Sequence, residues 1–451
     1  NIGFGSGLTT HTLLGSTAIT SVDTIEIEPA MIEGARTFGA VVARAFNDPR
    51  SNIHIEDAKS FFAGRNEKYD VIVSEPSNPW VSGVSGLFSD EFYKQVKRYV
   101  RDDGVLVQWI QLYEIDTELV LSMLKALGNN FEDYVAYEAG PADMVILAVP
   151  KGSVPPLSDA VFAMPLVKAD FERVGVKNVG DLRMRRIASK RHLEILAKSH
   201  GVPGNSDYFP VVDLRAPKLR FLGRTALDLS LLSSASVPII DMLDRYDFPG
   251  MESVVSPIAL QSQRPQRAVI AKSVRDVILD GVVRPGTKIE QETLLRSTFI
   301  RDTLIGCIDV ENRSAIRDVL FDLGPLLSSQ LAKAESAALW QKIEAAKCHA
   351  RVSVETRNLI AVFKAVSNRD ANAMALAAER VLDSAAPSTP AQLEYLVLAG
   401  MAGHYFSGNA EAARSLWLKR SKGLTDEGRG SPPFRLMLGL LAENNVRRAG
   451  P

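Results

Sequence analysis

A chain of 451 residues, 46% hydrophobic and 23% charged, is too long for one ordinary core and predicts two or three globular domains. No apolar run reaches the ~18–20 residues that span a bilayer, which excludes a membrane helix within the printed sequence. The net charge of −1 is uneven: residues 1–150 hold 21 acidic and 11 basic side chains, a net of −10, and the remainder carries +9. An acidic first region favours a cationic ligand and predicts no nucleic-acid partner, although a merely acidic surface explains the count equally well.

The two cysteines, Cys307 and Cys348, are too few for a disulfide framework. They fit a reducing compartment, so we expect this chain to be cytoplasmic. Neither has the spacing of metal ligands, and we predict no metal site.

Residues 1–150 alternate between two periodicities. Runs rich in strand-forming residues lie at 22–28, 52–55, 70–74, 104–110 and 143–149, and helical patterns lie at 30–45, 57–64, 89–101 and 116–128. Such alternation predicts βαβ units in a parallel, doubly wound α/β sheet of Rossmann-like type, covered on both faces. Prolines and glycines between 76 and 86 mark a loop at the carboxyl end of the run at 70–74, where such sheets bind ligands.

The stretch "PKGSVPPLSD" (150–159) predicts a linker. Residues 151–235 are predicted to be a mixed, mostly helical connecting region, and 240–451 an all-α region. Segments 358–384 and 394–420 each read as helix, turn, helix, and they superpose at an offset near forty residues. That periodicity indicates a helical repeat of TPR-like type, whose surface would suit a protein partner.

The chain opens on a glycine turn, "NIGFGSGLTT". Gly3, Gly5 and Gly7, with Ser6 between them, allow a ligand close to the backbone at the start of a helix. Glu26 ends the next strand, where a carboxylate accepts both hydroxyls of a ribose. By itself, Glu26 reads equally as an exposed acid at a strand end.

Asp57 and Ala58 follow the predicted strand at 52–55, at the start of a helix. Asp57 is either the N-cap of that helix or an acceptor for the exocyclic amine of an adenine. The glycine turn, Glu26 and Asp57 together fit an adenosine site of the S-adenosylmethionine type better than a dinucleotide site.

The segment "KYDVIVSEPSNPWVSGVSGLFSDEFYKQVKRYVRDDGVLVQWIQLYE" (68–114), with "DPRSNIHIEDA" (48–58), resembles the spermidine synthase, or polyamine aminopropyltransferase, family over residues 1 to about 150. The loop E-P-S-N-P-W and the stretch "NSDYFPVVDLRAP" are similar to a bacterial branch with a helical C-terminal extension. The resemblance implies an S-adenosylmethionine-methyltransferase-type fold and a missing N-terminal segment. It also implies a parent protein that membrane helices anchor in the inner membrane, and it is compatible with a homodimer.

What the resemblance implies chemically is transfer of an aminopropyl group from decarboxylated S-adenosylmethionine to a polyamine such as putrescine. Glu75 and Asn78 then stand at the catalytic loop positions, where the family usually has two Asp residues. Ser6 stands where the family usually carries another acid, which holds the cationic tail of the donor. The implied substrate pocket consists of Glu75, Asn78, Pro79, Trp80 and Gln108.

Asn78 cannot accept a full proton, so Glu75 is the remaining candidate base, and an ordinary loop acid is its alternative. Loss of two acids also removes repulsion against the α-carboxylate of ordinary S-adenosylmethionine. Two rival functions therefore stay open: an S-adenosylmethionine-dependent methyltransferase acting on another acceptor, and a catalytically decayed ligand-binding or scaffold protein.

Overall fold

The protein is described by a computed structural model over residues 1–246, 248, 262–283, 289–310, 314–384 and 389–449. Its contacts divide into two compact units. One comprises Asn1–Ser230, and the other has 231–246 and 263–449 as its main described segments.

The first unit is built on one mixed sheet. Its strands are β1 (Val22–Glu26), β2 (Ser51–Ile55), β3 (Tyr69–Ser74), β4 (Val100–Gln111), β5 (Asp133–Gly140), β6 (Asp143–Val149) and β7 (Arg186–Ser189). Ile2 bridges β1 and β3 in parallel, which gives the order β2–β1–Ile2–β3–β4–β6–β5–β7. The predicted α/β class is confirmed, and five of the seven strands overlap the predicted ones.

The prediction of a parallel sheet is wrong for its second half. Strand β6 runs antiparallel to both β4 and β5, and β7 runs antiparallel to β5. Only residues 141 and 142 join β5 to β6, and so short a connection imposes a hairpin. Strand β5 was not predicted because its buried positions include Ala136 and Glu138, which are poor strand formers.

The helices of the first unit connect these strands. They are α1 (Leu8–Leu13), α2 (Pro29–Ala35), α3 (Ala43–Asn47), α4 (Ala58–Ala63), α5 (Asp90–Lys97), α6 (Thr117–Asn130), α7 (Pro165–Arg173), α8 (Val179–Arg183), α9 (Lys190–His200) and α10 (Val211–Phe221). Short 3₁₀ segments lie at Arg36–Val42, Val84–Phe88, Asp159–Ala163 and Leu227–Ser234.

Local sequence explains where these helices begin and end. Ser89 caps α5 by accepting the Phe92 N–H at 3.2 Å, and Asp116 caps α6 by accepting the Leu119 N–H at 2.9 Å. The helix predicted over 30–45 is broken, because Gly39 adopts φ 62° between α2 and α3. The longest of these helices, α6, buries Leu119, Val120 and their neighbours almost completely.

The predicted connecting region 151–235 does not stand apart from the sheet. Strand β7 pairs with β5, and the Ala226 N–H donates to the Leu112 carbonyl at 2.8 Å, just beyond β4. The first compact unit accordingly extends to Ser230 rather than ending near residue 150.

The second unit is helical in its described part. Its helices are α11 (Ile239–Asp244), α12 (Gln263–Asp280), α13 (Gln291–Leu304), α14 (Ser314–Ser329), α15 (Lys333–Ala345), α16 (Val354–Asn368), α17 (Ala371–Ser384), α18 (Pro390–Phe406), α19 (Ala410–Arg420), α20 (Asp426–Gly430) and α21 (Pro432–Ala449), with 3₁₀ turns at Lys347–Arg351 and Ser421–Gly423. The predicted helical C-terminal region is confirmed, and the repeat stays a prediction. None of the described helices is both long and apolar enough to cross a membrane.

A cluster of aromatic rings marks the core of the second unit. Trp340 stacks on Phe363 at 5.5 Å between centroids, and Phe363 also contacts the rings of Phe321 and Tyr395. The Trp340 indole N–H donates to the Ser367 hydroxyl at 2.8 Å, so the one polar atom of this ring is satisfied inside the core.

Cys307 and Cys348 form a disulfide, with 5.0 Å between their Cα atoms. The expectation of two reduced cysteines is therefore wrong for this structure. Cysteine count indicated nothing about pairing, because the two residues are 41 positions apart and only packing of the helices brings them together.

Candidate functional site

The glycine turn has the backbone that its sequence predicts. Gly3, Gly5 and Gly7 have φ values of 90°, 53° and 82°, in the left-handed region that side chains disfavour. A Cβ atom on Gly3 would lie 2.3 Å from the Glu75 carbonyl oxygen. Gly3 is thus required for the loop after β3 to approach the turn.

Three neighbouring strand ends meet at this turn. The Gly3 N–H donates to the Ile25 carbonyl at 2.9 Å, and the Glu75 N–H donates to the Ile2 carbonyl at 2.9 Å. The turn is therefore held by backbone hydrogen bonds to β1 on one side and to the end of β3 on the other. This is the carboxyl edge of the parallel part of the sheet, where ligands bind in such folds.

Glu26 points into the glycine turn. Its Oε2 accepts the Phe4 N–H at 2.9 Å and its Oε1 accepts the Glu28 N–H at 3.0 Å. The side chain is buried, and both oxygens are fixed by charge-assisted hydrogen bonds. The alternative of an exposed acid at the end of β1 does not describe this residue.

Asp57 caps a helix in this structure. Its Oδ1 accepts the Ser60 N–H at 2.9 Å at the start of α4, and Ala58 is the buried first residue of that helix. The capping interpretation is therefore correct. A contact between Asp57 and an adenine amine stays a proposal.

Glu75 is tied to the helix that follows the turn. The Thr9 hydroxyl donates to its Oε2 at 2.7 Å, and the Glu75 side chain is half-buried. Ser6 is exposed, and its Oγ accepts the Leu8 N–H at 3.4 Å. No sequence pattern indicated Thr9, because its partner is 66 residues away and only the sheet brings the two residues together.

The other loop residues meet a group of side chains from distant segments. Asn78 donates from Nδ2 to the Tyr113 hydroxyl at 2.9 Å, and the Trp80 ring lies edge-on to Tyr113 at 6.1 Å. The Arg220 guanidinium lies over Trp80 at 5.2 Å and 3.5 Å from a carboxylate oxygen of Glu114. Arg220 comes from α10 and was not predicted for the site.

Two of the residues predicted for the pocket are buried instead. Gln108 has no exposed surface, and its Nε2 donates to the carbonyls of Ser74 (3.2 Å) and Trp109 (3.0 Å). Pro79 is also buried, whereas Trp80 and Asn78 are partly exposed. Gln108 therefore cross-links β3 and β4 and does not form a wall of the pocket.

Strand β4 ends in a second buried glutamine. Gln111 is fully buried, and neither its Nε2 nor its Oε1 has a hydrogen-bond partner within the described structure. Asp143 pairs with Gln111 across β4 and β6 and accepts the Trp109 indole N–H at 3.2 Å. Burial raises the pKa of Asp143, and the hydrogen bond from Trp109 opposes this rise.

Over the described residues, no three His, Cys, Asp or Glu side chains come together in a way that could hold a metal ion.

Residues 1–142 match the family description "Spermine/spermidine synthase domain". The resemblance inferred from the sequence is confirmed for this part of the chain. Among curated proteins, the polyamine aminopropyltransferase of Methanocaldococcus jannaschii is 32% identical over 117 residues, which cover 26% of this chain and 40% of the relative. That of Lachnoclostridium phytofermentans is 30% identical over 106 residues, which cover 24% of this chain and 37% of the relative.

The match therefore spans about two fifths of the length of these relatives. Among solved structures, spermidine synthase from Thermotoga maritima gives a TM-score of 0.28 at 21% identity, covering 34% of this chain and 52% of that one. Human methyltransferase-like protein 13 in complex with SAH gives a TM-score of 0.31 at 20% identity, covering 38% of this chain and 80% of that one.

Proposed function

We propose that this synthase domain transfers an aminopropyl group from decarboxylated S-adenosylmethionine to an amine such as putrescine. The supporting observation is the Glu26 carboxylate bonded to the Phe4 N–H. That contact joins the ribose-binding acid and the glycine turn into one cradle for a nucleoside. Polyamine aminopropyltransferases among the relatives support the same reaction class.

The reaction is a direct displacement. The lone pair of the acceptor nitrogen attacks the propyl carbon next to the sulfonium, and the carbon–sulfur bond breaks with its electrons onto sulfur. The products are a neutral thioether and a secondary ammonium, which then loses one proton. Because the leaving group is already activated, the protein needs mainly to orient the amine and to accept that proton.

Glu75 is the proposed proton acceptor, because it is the one carboxylate within the loop 75–80. Its hydrogen bond from Thr9 keeps the carboxylate beside the turn. Asn78 donates to Tyr113 and carries no charge, so it would orient an acceptor by hydrogen bonding rather than by ion pairing. Trp80 and Tyr113 would supply ring surface to the aliphatic part of the acceptor.

The test is a mass-spectrometric assay of the purified chain with decarboxylated S-adenosylmethionine and putrescine. Glu75→Gln should lower the rate of product formation about 10²-fold or more, the range for losing a positioned base. Glu67→Gln is the matched control, because Glu67 is an exposed acid that lies 4.0 Å from Arg65 and outside the loop 75–80. A wild-type chain that binds the donor but forms no aminopropyl product would contradict the proposal.

A second candidate is methyl transfer from ordinary S-adenosylmethionine to another acceptor. It is favoured by the exposed, uncharged Ser6 in the turn and by the neutral Asn78 in the loop. Calorimetry with the two donors separates these functions: a strong preference for the decarboxylated donor would eliminate methyl transfer.

A further inference from the structure

The helical second unit contains a cavity that the proposed function does not use. Its volume is about 500 Å³, which is within the range of small-molecule sites. The residues that line it come from the end of α11, the start of α15, the junction of α16 with α17 and the end of α18. All of them belong to the second unit, so the cavity lies within one compact body.

Three cationic side chains line this cavity. Arg245 directly follows α11, Lys333 begins α15 and Arg369 directly follows α16. Asp241 also lines the cavity, but both of its oxygens accept hydrogen bonds from the buried Arg264, at 3.2 and 2.5 Å. Because that ion pair offsets the charge of Asp241, the three cations determine the charge that a ligand meets.

A cavity of similar size in the first unit provides a comparison. Its volume is about 540 Å³, and its lining has three acidic and three basic side chains. Among these, Arg215 is paired with Asp116 and Glu118, at 2.7 and 3.2 Å. Charges are therefore balanced in the first unit and unbalanced in the second, in agreement with the positive net charge of the chain after residue 150.

The cation at the end of α16 is held in place by the backbone. The Arg369 Nη1 donates to the Ser328 carbonyl at 2.9 Å and to the Val366 carbonyl at 2.7 Å, and the side chain is half-buried. A guanidinium restrained in this way loses little conformational entropy when it meets an anion. Arg245 and Lys333 are exposed, so they are free to adjust to the ligand.

Two of the cations occupy unusual backbone positions. Arg245 and Arg369 have φ values of 52° and 56°, in the left-handed region where a helix more commonly ends on glycine or asparagine. Arginine is the less favourable residue for this backbone. A requirement for a positive charge at both positions explains its presence.

The rest of the lining includes apolar and aromatic side chains. Tyr246 and Phe406 contribute rings and Met242 contributes a thioether, and all three are half-buried. Rings and thioethers pack well against flat apolar groups. The cavity thus offers positive charge to one part of a ligand and apolar surface to another.

We propose that this cavity binds a small molecule that carries a phosphate monoester on a flat, apolar body. A phosphate monoester has a charge of about −1.5 to −2 at pH 7 and three acceptor oxygens, whereas a carboxylate has a single charge. Three cations match the phosphate better, and a guanidinium binds it through two parallel hydrogen bonds. This site is separate from the synthase reaction, which is assigned to the first unit.

The experiment is titration calorimetry on the whole chain with phenyl phosphate as the probe. Inorganic phosphate, which lacks the ring, and benzoate, which has the ring and one charge, are the comparison ligands. Phenyl phosphate should bind about tenfold more tightly than either, because only this probe supplies both the ring and the second charge.

Two substitutions remove charge from the cavity without disturbing the fold. Arg245→Asn and Lys333→Gln should each weaken phenyl phosphate binding about three- to tenfold, and the double variant about 10- to 100-fold. Asparagine suits a left-handed backbone, so Arg245→Asn should not lower the melting temperature. Arg369 is kept, because its loss would also leave the Ser328 and Val366 carbonyls without their donor.

Arg380→Gln is the matched control, because Arg380 is an exposed arginine on α17 that does not line the cavity. It should change the affinity for phenyl phosphate by less than about twofold. No heat of binding from the wild type at about 1 mM phenyl phosphate would overturn the inference. Unchanged affinity in the double variant would also overturn it, and so would benzoate binding as tightly as phenyl phosphate.

Discussion

Gln108 and Gln111 are both fully buried on β4, three residues apart, yet only one has its amide bonded. The amide of Gln108 bonds to the carbonyls of two neighbouring residues, and that of Gln111 bonds to nothing among the described residues. Burying an amide without a hydrogen-bond partner costs free energy. Removing a bonded amide also costs free energy, because it leaves the buried carbonyls without their donor.

We therefore expect opposite effects from the same substitution at these positions. Gln111→Met should raise the free energy of unfolding by about 1–2 kcal/mol, and Gln108→Met should lower it by about 1–3 kcal/mol. Denaturant titration of each variant measures both values. A loss of stability in Gln111→Met would indicate that an ordered water already satisfies its amide.

His11 is a buried histidine beside two charged residues. The Arg44 N–H donates to its Nδ1 at 3.1 Å, and Asp170 lies 3.7 Å from its Nε2. Burial lowers the pKa of His11, and the Arg44 charge lowers it further, while Asp170 acts in the opposite direction. The folded chain therefore keeps this ring neutral at a pH where the unfolded chain binds a proton.

A lowered folded-state pKa fixes the sign of the pH dependence. The contribution of His11 to stability is fully present above its unfolded value of 6.5 and is lost as pH falls toward the folded value. The free energy of unfolding should thus decrease on acidification from pH 7.5 to 5.5. His11→Asn, which keeps an acceptor for Arg44, should flatten this part of the curve; an unchanged slope would contradict the assignment.

At the scale of elements, the disulfide closes a segment that runs from the end of α13 to the turn before α16. Cys307 and Cys348 are 41 residues apart. Cross-linking a loop of this length restricts the unfolded chain and stabilises the fold by roughly 4 kcal/mol in the chain-entropy account.

The double variant Cys307→Ser with Cys348→Ser should lower the stability of the second unit by up to about 4 kcal/mol. A reductant should have the same effect on the wild type and none on the variant. Peptide mapping without reduction should recover one linked pair in the wild type. Unlinked cysteines in protein purified under air, with unaltered stability, would contradict the pairing.

Consecutive helices from α16 to α19 are packed closely. A Cβ atom on Gly403 of α18 would lie 2.4 Å from the Ala375 backbone nitrogen of α17, so these two helices approach at a residue without a side chain. The TPR-like repeat and a protein partner for this region stay predictions, because close packing of successive helices is common to many all-α domains.

At the scale of the whole molecule, the two compact units should respond to different perturbations. Ligand binding should stabilise the unit that holds the site, and a reductant should act on the unit that holds the disulfide. The predicted cytoplasmic location, the homodimer and the membrane anchor of a longer parent stay predictions.

Scanning calorimetry tests this independence. Decarboxylated S-adenosylmethionine at about 100 times its Kd should add about 2.7 kcal/mol to the first unit, which raises that transition by several degrees. A reductant should lower the other transition and leave the first unchanged. A single transition moved by both reagents would show that the units unfold together.

Whether a residue of the site was predictable depends on how far along the chain it lies from the residue that it contacts. Gly3, Gly5, Gly7 and Glu26 follow from local spacing, because a turn and the end of the next strand are adjacent in any parallel sheet. Thr9 and Arg220 did not follow, because their partners are 66 and well over a hundred residues away. Gln108 was assigned to a pocket because alternation alone does not indicate which face of a strand another layer covers. Pro79 was assigned to it through the family resemblance of the loop, which carries no information on burial.

The sequence by itself determined the α/β class, five of the seven strands, the glycine turn and the helical character of the second unit. These depend on periodicity, turn residues and capping, which act over a few positions. Only the tertiary structure decided that β6 is antiparallel, that β5 and β7 join the sheet, that Cys307 pairs with Cys348 and that Thr9 holds Glu75. Each of these is a contact between distant segments, and its free energy depends on three-dimensional packing that no local pattern encodes.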